Sequence, residues 1–422
     1  MDYGEQIEIK VPFRKELISL VVGCVEQSAK AFGLKKEESL PLALAVEEVF
    51  SFLAVHAGAK ETMSLICRFG GYYVEAIFRF AGRALPLRAL NITATVSIED
   101  EKSWADMGFL LAARSVDHLR ISTDEEGNMA LHFIKEKDYP GFDSAPDDAG
   151  FREGTNFQVV DSQPELLKQF AGRVVGSYGK DCPSFFHFPG KLVDMVAGGE
   201  YGAAFLLDGK SRIGGGLLWK QGNKMVEAYG PYLFLDQPAL ARNLIDGCLE
   251  KIARTNAVCL VIRQATPEIP SDYFESLGNR AFYRQLAEDN GTVAFVHPRL
   301  TSFLATFYQE LYLPRQIQEV EYQGESISPY SVLAAHIDRP AHKVVLAPLW
   351  VGSDAARNLA DHVRVLRAEG ITDIFFELDT GVPKQAILCP ALLTAGFKPV
   401  LILPWGGKGD IVLFAHKTGE GR

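Results

Sequence analysis

The stretch LALAVEEVFSFLAVHAG, Leu42 to Gly58, has apolar residues at the spacing of an amphipathic helix, with two acids in its middle and a histidine two turns further on. Period-two strand patterns lie on both sides of this helix, and two more helical patterns accompany them. In chain order the patterns are the strand EQIEIKVP, helices at 15–32 and 38–56, the strands MSLICRFGG and YYVEAIFRF, the helix WADMGFLLAARSV, and the strands HLRIST and MALHFIKE. Helices and strands in this order predict one α/β sandwich over residues 1–137.

The composition is that of an ordinary globular protein, with 47% hydrophobic and 23% charged residues among 422. The net charge is −10 and the basic residues are dispersed, which argues against nucleic acid as a partner because phosphate neutralisation needs a concentrated basic face. The opening MDYGEQIEIK has no leader pattern, and no uncharged apolar run approaches the roughly 20 residues that span a bilayer. We therefore expect a cytoplasmic protein with no membrane partner.

The cysteines are widely scattered, with no CxxC pair and no histidine spacing that would build a zinc site. We expect them to be reduced core residues, and we expect no metal site.

The segment KEKDYPGFDSAPDDAGFREGT, Lys135 to Thr155, combines prolines, glycines and acids without a helical or strand period. It predicts a linker, which we place at 138–155.

The chain after the linker matches itself in three places at a nearly constant offset. The matches are ARNLIDGCLEKIARTNAVCLVIR from Ala241 with ARNLADHVRVLRAEGITDIFFEL from Ala356, TVAFVH at 292–297 with IVLFAH at 411–416, and two helices interpreted as ending at Gly278 and Gly396. Three matches in one order predict a duplicated α/β unit, with copies at 156–300 and 301–422.

The first 137 residues resemble an anti-sigma-factor-type member of the GHKL family of ATPases and kinases. The opening IEIKVPFRKELISLVVGCVEQSAKAFGL has the shape of that family's first strand and helix, and LPLALAVEEVFSFLAVHA resembles its adenine-nucleotide helix. The family's helix pattern E-x-x-x-N supplies a glutamate that polarises a nucleophile and an asparagine oxygen that ligates Mg²⁺. Glu48 keeps the acid position, whereas Phe52 offers Mg²⁺ no ligand.

Two further motifs of that family are changed. Its D-x-G motif, whose aspartate binds the adenine amino group, corresponds to FRFAGRALP, where Gly82 is kept and Phe80 replaces the acid. Its phosphate-covering glycine loop corresponds to WADMGFLLAARSVD, where Gly108 remains and Asp106 adds a negative charge. The resemblance implies a degenerate site that does not bind ATP with Mg²⁺. Its remnants are Glu48, Phe52, Phe80, Gly82 and Gly108, and Glu47, Glu48 and His56 become solvated or capping residues.

Residues 155–300 resemble a GNAT-type acyltransferase domain. FQVVDSQPELLKQFAGRVVGSYGKD resembles the family's first strand and following helices, YGAAFLLDGKSRIGGGLLW its central hairpin, and MVEAYGPYLFLDQPALARNLIDGCLEKIAR its fourth strand and the helix that carries coenzyme A. The family's loop Q/R-x-x-G-x-G/A binds pyrophosphate through bare backbone amides. The loop here has Leu240 at a glycine position and Pro238 without an amide donor. The resemblance implies acetyl-CoA or another acyl-CoA as cofactor, at Gln237, Leu240, Ala241, Arg242 and Asn243.

The candidate catalytic residues also come from this resemblance. GNAT enzymes often place a tyrosine four residues before the glycine of Y-x-x-x-G-F to protonate the departing thiolate. The matching stretch DYFESLGNR has Phe274 at that position, and the adjacent Tyr273 would be turned about 100° away on a helix. Glu227 and Tyr229 lie near the splayed strand where such enzymes hold acyl groups. The candidates are therefore Glu227, Tyr229 and Tyr273.

The second copy keeps fewer of the residues that the GNAT resemblance would require at a site. It keeps Gly396 and Phe397 but has Leu392 at the tyrosine position, and its phosphate loop VGSDAARNL has one glycine and an acid. We interpret the glycine-rich PWGGKGD, Pro404 to Asp410, as a strand connection rather than a phosphate loop.

Three classes of function remain open. The substituted positions favour a regulatory or ligand-binding pseudoenzyme whose former pockets are filled with apolar volume. The anti-sigma resemblance implies bacterial signalling and a protein partner. The alternative is an acyl-CoA-dependent N-acyltransferase acting through the first GNAT-like domain, and a structural scaffold is the third class. An open cleft with free amides near Leu240 would favour the enzyme, and a packed cleft would favour the binding protein. The substituted positions are Phe52, Phe80, Leu240, Phe274 and Leu392.

Overall fold

The structure is a computed structural model, and it describes residues 3–56, 61–81, 87–94, 104–123, 128–142, 156–339 and 341–416, without the side chains of 104–106 and 180. Predicted Gly82, the side chain of Asp106 and residues 143–155 of the predicted linker lie outside the described part.

The N-terminal region forms an antiparallel sheet with helices packed on one face, in the predicted element order. Strand order in the sheet is β1-β2-β3-β5-β4. The elements are β1 (Gln6–Pro12), α1 (Ile18–Ala31), α2 (Lys36–His56), β2 (Thr62–Phe69), β3 (Tyr73–Phe80), α3 (Trp104–Ser115), β4 (His118–Thr123) and β5 (Met129–Glu136).

Alternation along β5 shows how the sequence gives this sheet two different faces. Leu131 and Phe133 are fully buried in the core under the helices, together with Val46 and Phe50 of α2. His132 points to the opposite face, where it lies among polar side chains. The helix-covered face forms the hydrophobic core, and polar side chains lie on the other face.

Helix α2 is long and apolar enough to cross a membrane by length and composition, with a mean hydropathy of 1.4 in its most apolar window. It is the one such helix in the described ranges. Leu42, Val46, Val49 and Leu53 lie in the N-terminal core, which is how a core helix of a globular domain passes the same test.

A seven-stranded sheet follows, in the order β11-β12-β10-β9-β8-β7-β6. Strands β9 and β10 run parallel and are joined through α6, whereas the other neighbouring strands of this sheet pair antiparallel. The elements are β6 (Phe157–Asp161), α4 (Pro164–Tyr178), α5 (Pro189–Ala197), β7 (Tyr201–Asp208), β8 (Ile213–Gln221), β9 (Met225–Leu233), α6 (Leu240–Ile252), β10 (Cys259–Ile262), β11 (Glu275–Gly278) and β12 (Ala281–Gln285).

The remaining chain contributes a parallel two-stranded sheet, β13-β14, and a five-stranded sheet in the order β15-β16-β17-β19-β18. The elements are β13 (Thr292–Val296), α7 (Pro298–Glu310), β14 (Arg315–Glu319), β15 (Val332–Asp338), β16 (Lys343–Trp350), α8 (Ala355–Ala368), β17 (Asp373–Asp379), α9 (Pro383–Ala386), α10 (Cys389–Thr394), β18 (Phe397–Leu403) and β19 (Ile411–His416).

One strand order with its connecting helix occurs twice, while the predicted copies at 156–300 and 301–422 stay a prediction. The order β9-β10-β12-β11 recurs as β16-β17-β19-β18, and α6 and α8 each connect the first two strands. Two of the three sequence matches were wrong in detail. Residues 411–416 form β19, which takes the place of β12, whereas 292–296 form β13, which pairs with β14. Gly278 ends strand β11 rather than a helix, because Asn279 and Arg280 adopt positive φ and turn the chain into β12.

The chain divides into two compact units. One comprises 1–138, 324–337 and 344–374, and the other comprises 139–323, 338–343 and 375–422. The mixed α/β fold class is confirmed, whereas the domain limits predicted from the sequence stay a prediction.

Candidate functional site

The parallel pair β9 and β10 separates at a defined point. Its register runs from Met225 opposite Cys259 to Ala228 opposite Ile262. Beyond it the next bond between the two segments is from the hydroxyl of Thr266 to the carbonyl of Pro231, at 2.6 Å. Beyond Ala228, therefore, a side-chain hydrogen bond joins the two segments in place of backbone pairing.

Glu227 lies one residue before the end of this ladder, opposite Val261, and contacts an arginine. Its Oε1 is 2.9 Å from Nε of Arg263, whose Nη1 donates to Oε1 of Glu377 at 2.6 Å. The Nε contact meets the distance of an ion pair but not the alignment of a hydrogen bond. Glu227 and Glu377 are thus the charge partners of one half-buried guanidinium.

Tyr229 is packed in an aromatic cluster beside this pair. Its ring meets Phe185 edge-on at 5.5 Å and lies 6.2 Å from Tyr201. Burial raises the pKa of Tyr229 well above its usual value, and the Glu227 carboxylate raises it further. The hydroxyl therefore stays protonated and is a potential proton donor.

The predicted cofactor loop has its amides already bonded. The amides of Leu240, Ala241 and Arg242 donate to the carbonyls of Gln237, Pro238 and Ala239 at 3.0, 3.1 and 3.3 Å. The amide of Gln237 donates to Leu235 at 3.0 Å, and Pro238 has none to offer. The free amides that a pyrophosphate site requires are therefore absent at these positions of the described loop.

The side chains of this loop are also engaged or turned away. Leu240 is half-buried and packs against the hydrophobic core under the sheet, and Ala241 is fully buried there. Asn243 is exposed on α6. Nη2 of Arg242 binds both carboxylate oxygens of Asp272, at 2.7 and 2.6 Å.

Tyr273 does not lie on an α-helix as predicted, because Ser271–Tyr273 form a single 3-10 turn that leads into β11. Its ring is flanked by the guanidinium groups of Arg242 and Arg284, each 5.0 Å from the ring centroid. The structure thus brings Tyr273 together with Arg242, and leaves both apart from the Glu227 and Tyr229 contacts described above. A cavity of about 330 Å³ adjoins the pair, with Asp272, Arg284 and Tyr312 among its lining residues.

Two positions named as substituted are core residues. Phe274 belongs to the hydrophobic cluster under the seven-stranded sheet, and Leu392 is fully buried. Neither side chain has a group that could take part in proton transfer.

The start of α8, which corresponds to that of α6, is covered by residues 330–331. Gly352 lies so close to Tyr330 and Ser331 that a Cβ atom there would overlap their backbone. Asp354 accepts from the amide and the hydroxyl of Ser331 at 2.6 and 2.7 Å.

The glycine-rich loop before β19 is confirmed as a strand connection. The amides of Lys408 and Gly409 donate to the carboxylate of Asp379 at 2.8 and 3.0 Å. An internal carboxylate thus takes the donors that a phosphate would use.

In the N-terminal region the residues predicted to be remnants of a nucleotide site lie in packed contacts. A Cβ atom on Gly108 would lie 2.7 Å from Oε2 of Glu48, so α2 and α3 touch at this point. Phe52 stacks on His56 with 4.2 Å between ring centroids and meets Phe109 edge-on at 5.0 Å, and Phe80 is buried. Burial raises the pKa of Glu48, and Glu47 raises it further. His56 also bonds the carbonyl of Phe52 at 2.9 Å as a helix-end residue.

The other sequence expectations concern thiols and metals. All cysteines are free, five of them buried and Cys24 half-buried. Among the described residues no group of three His, Cys, Asp or Glu side chains could hold a metal ion.

Sequence reasoning missed Arg263 and Glu377. A signal for Arg263 existed, since it is a basic residue directly after the apolar run CLVI. Nothing local indicated that Glu377, more than a hundred residues later, would bind it.

Three solved structures similar to this chain are acetyltransferases. A GNAT family N-acetyltransferase from Escherichia coli, in complex with CoA, is 14% identical with a TM-score of 0.25, and the match covers 33% of this chain and 87% of that one. A GNAT family acetyltransferase from Staphylococcus aureus is 12% identical with a TM-score of 0.23, covering 31% and 100%. GCN5 of Tetrahymena is 12% identical with a TM-score of 0.21, covering 31% and 96%.

Each of these matches covers about a third of this chain. No protein-family model matches the sequence, and no curated protein matches it either.

Proposed function

We propose that the protein is a regulatory or ligand-binding protein of the bacterial cytoplasm, built from a degenerate GHKL-type domain and two GNAT-like units without catalysis. The observation that carries the proposal is the saturated start of α6, where the amides of Leu240, Ala241 and Arg242 are bonded within their own turn. A pyrophosphate would have to break these bonds, each worth about 1 kcal/mol, before it could bind.

The N-terminal contacts support the same proposal. ATP with Mg²⁺ needs an oxygen ligand on α2 and room beside that helix for phosphates. Phe52 supplies an aromatic ring in place of the ligand, and Gly108 lies against Glu48.

An exposed apolar stripe on α2 supports a protein partner for this domain. Leu40, Leu44 and Val55 are large apolar residues of this helix that remain exposed. Their spacing places them on one side of the helix, which is how a helix presents apolar anchors to another protein.

Calorimetric titration of the full chain tests the loss of both cofactors. We expect no binding of acetyl-CoA or of ATP with Mg²⁺ at concentrations up to about 1 mM. A double variant, Pro238→Gly with Leu240→Gly, is the matched control because it restores an amide donor and a glycine. Micromolar binding of acetyl-CoA to the unmodified chain would overturn the proposal for the GNAT-like unit.

An acyl-CoA-dependent N-acyltransferase is the second candidate, and one observation favours it. The separation of β9 from β10 after Ala228 lies beside Tyr229, whose hydroxyl stays protonated. Such a hydroxyl could donate a proton to a departing thiolate. Release of free CoA from acetyl-CoA in the presence of amines would support this candidate, provided that Tyr229→Phe lowers kcat by about 10²-fold or more.

A further inference from the structure

Three polar side chains meet on the face of the N-terminal sheet that the helices do not cover. The hydroxyl of Ser122 on β4 lies 3.2 Å from Nε2 of His132 on β5. Nδ1 of the same imidazole lies 2.9 Å from Oε1 of Glu75 on β3. The strand register explains the meeting, because Ser122 lies opposite Ala130 and is thus a diagonal neighbour of His132, as Glu75 is through Ile134.

Solvent exposure of the three side chains increases from Glu75 through His132 to Ser122. The side chain of Glu75 is 5% exposed, that of His132 is 18% exposed, and Ser122 is exposed. A buried acid holds an imidazole in place, and the imidazole reaches an accessible hydroxyl. This is the arrangement in which a serine is activated as a nucleophile.

The charge state of Glu75 defines the proton positions. Burial alone would raise the pKa of Glu75, but the hydrogen bond from His132 and the charges of Arg68 and Arg120 oppose it, and the pKa lies below its usual value. An ionised carboxylate can only accept, so Nδ1 carries the imidazole proton. Nε2 is then the acceptor that faces the Ser122 hydroxyl.

A cavity of about 650 Å³ opens beside these residues, and both Ser122 and His132 line it. Across the sheet from Ser122 the register continues through Ala130 to Arg79, Ser64 and Lys10, which also line the cavity. Ala130 has a small side chain, so a substrate has space between the hydroxyl and the two cations. Arg79, the nearer of the two cations along this register, favours a substrate with negative charge.

We propose that Ser122, His132 and Glu75 form a second, hydrolytic site that cleaves small carboxylic esters bearing a negative charge. The Ser122 oxygen forms a bond to the ester carbonyl carbon as its proton passes to Nε2 of His132. The carbon–alkoxy bond then breaks, and the alcohol leaves with that proton. Water next gives a proton to His132 and its oxygen to the acyl carbon, and Ser122 leaves with the proton, which releases the carboxylic acid.

Covalent labelling of the full chain with a fluorophosphonate tests for an activated serine, and the labelled residue is identified by peptide mass spectrometry. We expect labelling at Ser122 in the native protein and none after heat denaturation. Ser122→Ala should abolish labelling, and His132→Gln should slow it by about 10²-fold or more. Ser115→Ala is the matched control, because Ser115 bonds a helix carbonyl outside the cavity.

Glu75 acts through His132, so it is a positioning residue with a test of its own. Glu75→Gln should slow labelling, while Glu75→Asp, which keeps the charge, should restore part of the rate. Melting temperatures of both variants separate misfolding from lost positioning. Hydrolysis of a p-nitrophenyl ester with a terminal carboxylate should follow the same order of variants.

Two results would overturn the proposal. One is labelling of native protein no faster than of denatured protein, which would leave the three residues as a structural contact between strands. The other is labelling of Ser64, which lines the same cavity, in place of Ser122.

Discussion

The two helix starts that a GNAT-like fold would use for pyrophosphate, at α6 and at α8, are both closed, but by different contacts. At α6 the loop bonds its own amides within one turn. At α8 residues 328–331 cover Gly352, with a bridge between Ser328 and Gly352 and a bond from the amide of Ser353 to Ser328. In the same element order, a helix start can thus be occupied by local turn formation or by a distant segment. The second route depends on tertiary contacts and is therefore more sensitive to mutation.

Among the variants that test this difference, Gly352→Ala should lower the free energy of unfolding the most. Its Cβ would overlap the backbone of Tyr330, which cannot yield as a flexible side chain can, so we expect a loss of at least about 3 kcal/mol in unfolding free energy. Chemical denaturation measures the loss. The control is Gly23→Ala in α1, where the new methyl has open space and should be neutral or stabilising.

Asp354→Ala should be the next largest change. Ser331 is fully buried, and both its amide and its hydroxyl donate to the Asp354 carboxylate. The variant leaves both donors without this acceptor, which should lower the free energy of unfolding by about 2 kcal/mol. Asp354→Asn keeps an acceptor and should lose less. Equal losses in the two variants would show that these bonds do not close α8. The aligned residue before α6 is Ala239, which carries no such contact.

Acid pH should weaken the region around α8 through His362. Burial lowers the pKa of His362 below its ordinary 6.5, and its Nδ1 bonds the carbonyl of Asn358 at 2.8 Å. As the pH falls below about 6.5, His362 therefore binds a proton more readily in the unfolded chain than in the folded chain. Stability is present above pH about 6.5 and is lost as pH falls, by at most about 1.4 kcal/mol per pH unit.

Unfolding of His362→Leu at pH 7.5 and 5.5 isolates this contribution, because the variant should lose less stability on acidification than the native chain. The same pH dependence in both proteins would contradict the prediction. The aligned residue in α6 is Gly247, so this acid sensitivity distinguishes the two copies.

Arg242→Ala should have the smallest effect. Arg242 and Asp272 are 45% and 59% exposed, and an exposed ion pair contributes less than about 1 kcal/mol. Denaturation should show a small change, with a similar value for Asp272→Ala. A loss above about 2 kcal/mol would instead indicate that stacking on Tyr273 holds the α6 start in place.

Sequence patterns predicted the N-terminal elements well because their signals are local. Each strand from β1 to β5 has an apolar residue at alternate positions or a continuous apolar run, and α2 has an uninterrupted helical period. The prediction was wrong around Gly278, which was interpreted as the end of a helix. Positive φ at Asn279 and Arg280 creates a tight turn there instead, and residue type alone indicated it weakly.

The candidate sites were predicted less completely. Glu227 and Tyr229 lie where the strand pattern placed them, but their partners Arg263 and Phe185 come from other elements. No motif spacing in the sequence indicated that Ser122, His132 and Glu75 would lie together. Their meeting depends on the register of three strands, which a one-residue slip would abolish.

The amino-acid sequence by itself determined the α/β class, the recurring helix-and-strand pattern, and the apolar side chains at Phe52, Phe80 and Leu240. These follow from hydrophobic period and residue chemistry, which act over a few neighbouring positions. Only the tertiary structure decided which backbone amides are occupied and which side chains converge. Hydrogen bonds and ion pairs join residues that lie far apart in the chain, as Arg263 joins Glu377, and their geometry exists only once the sheets have formed.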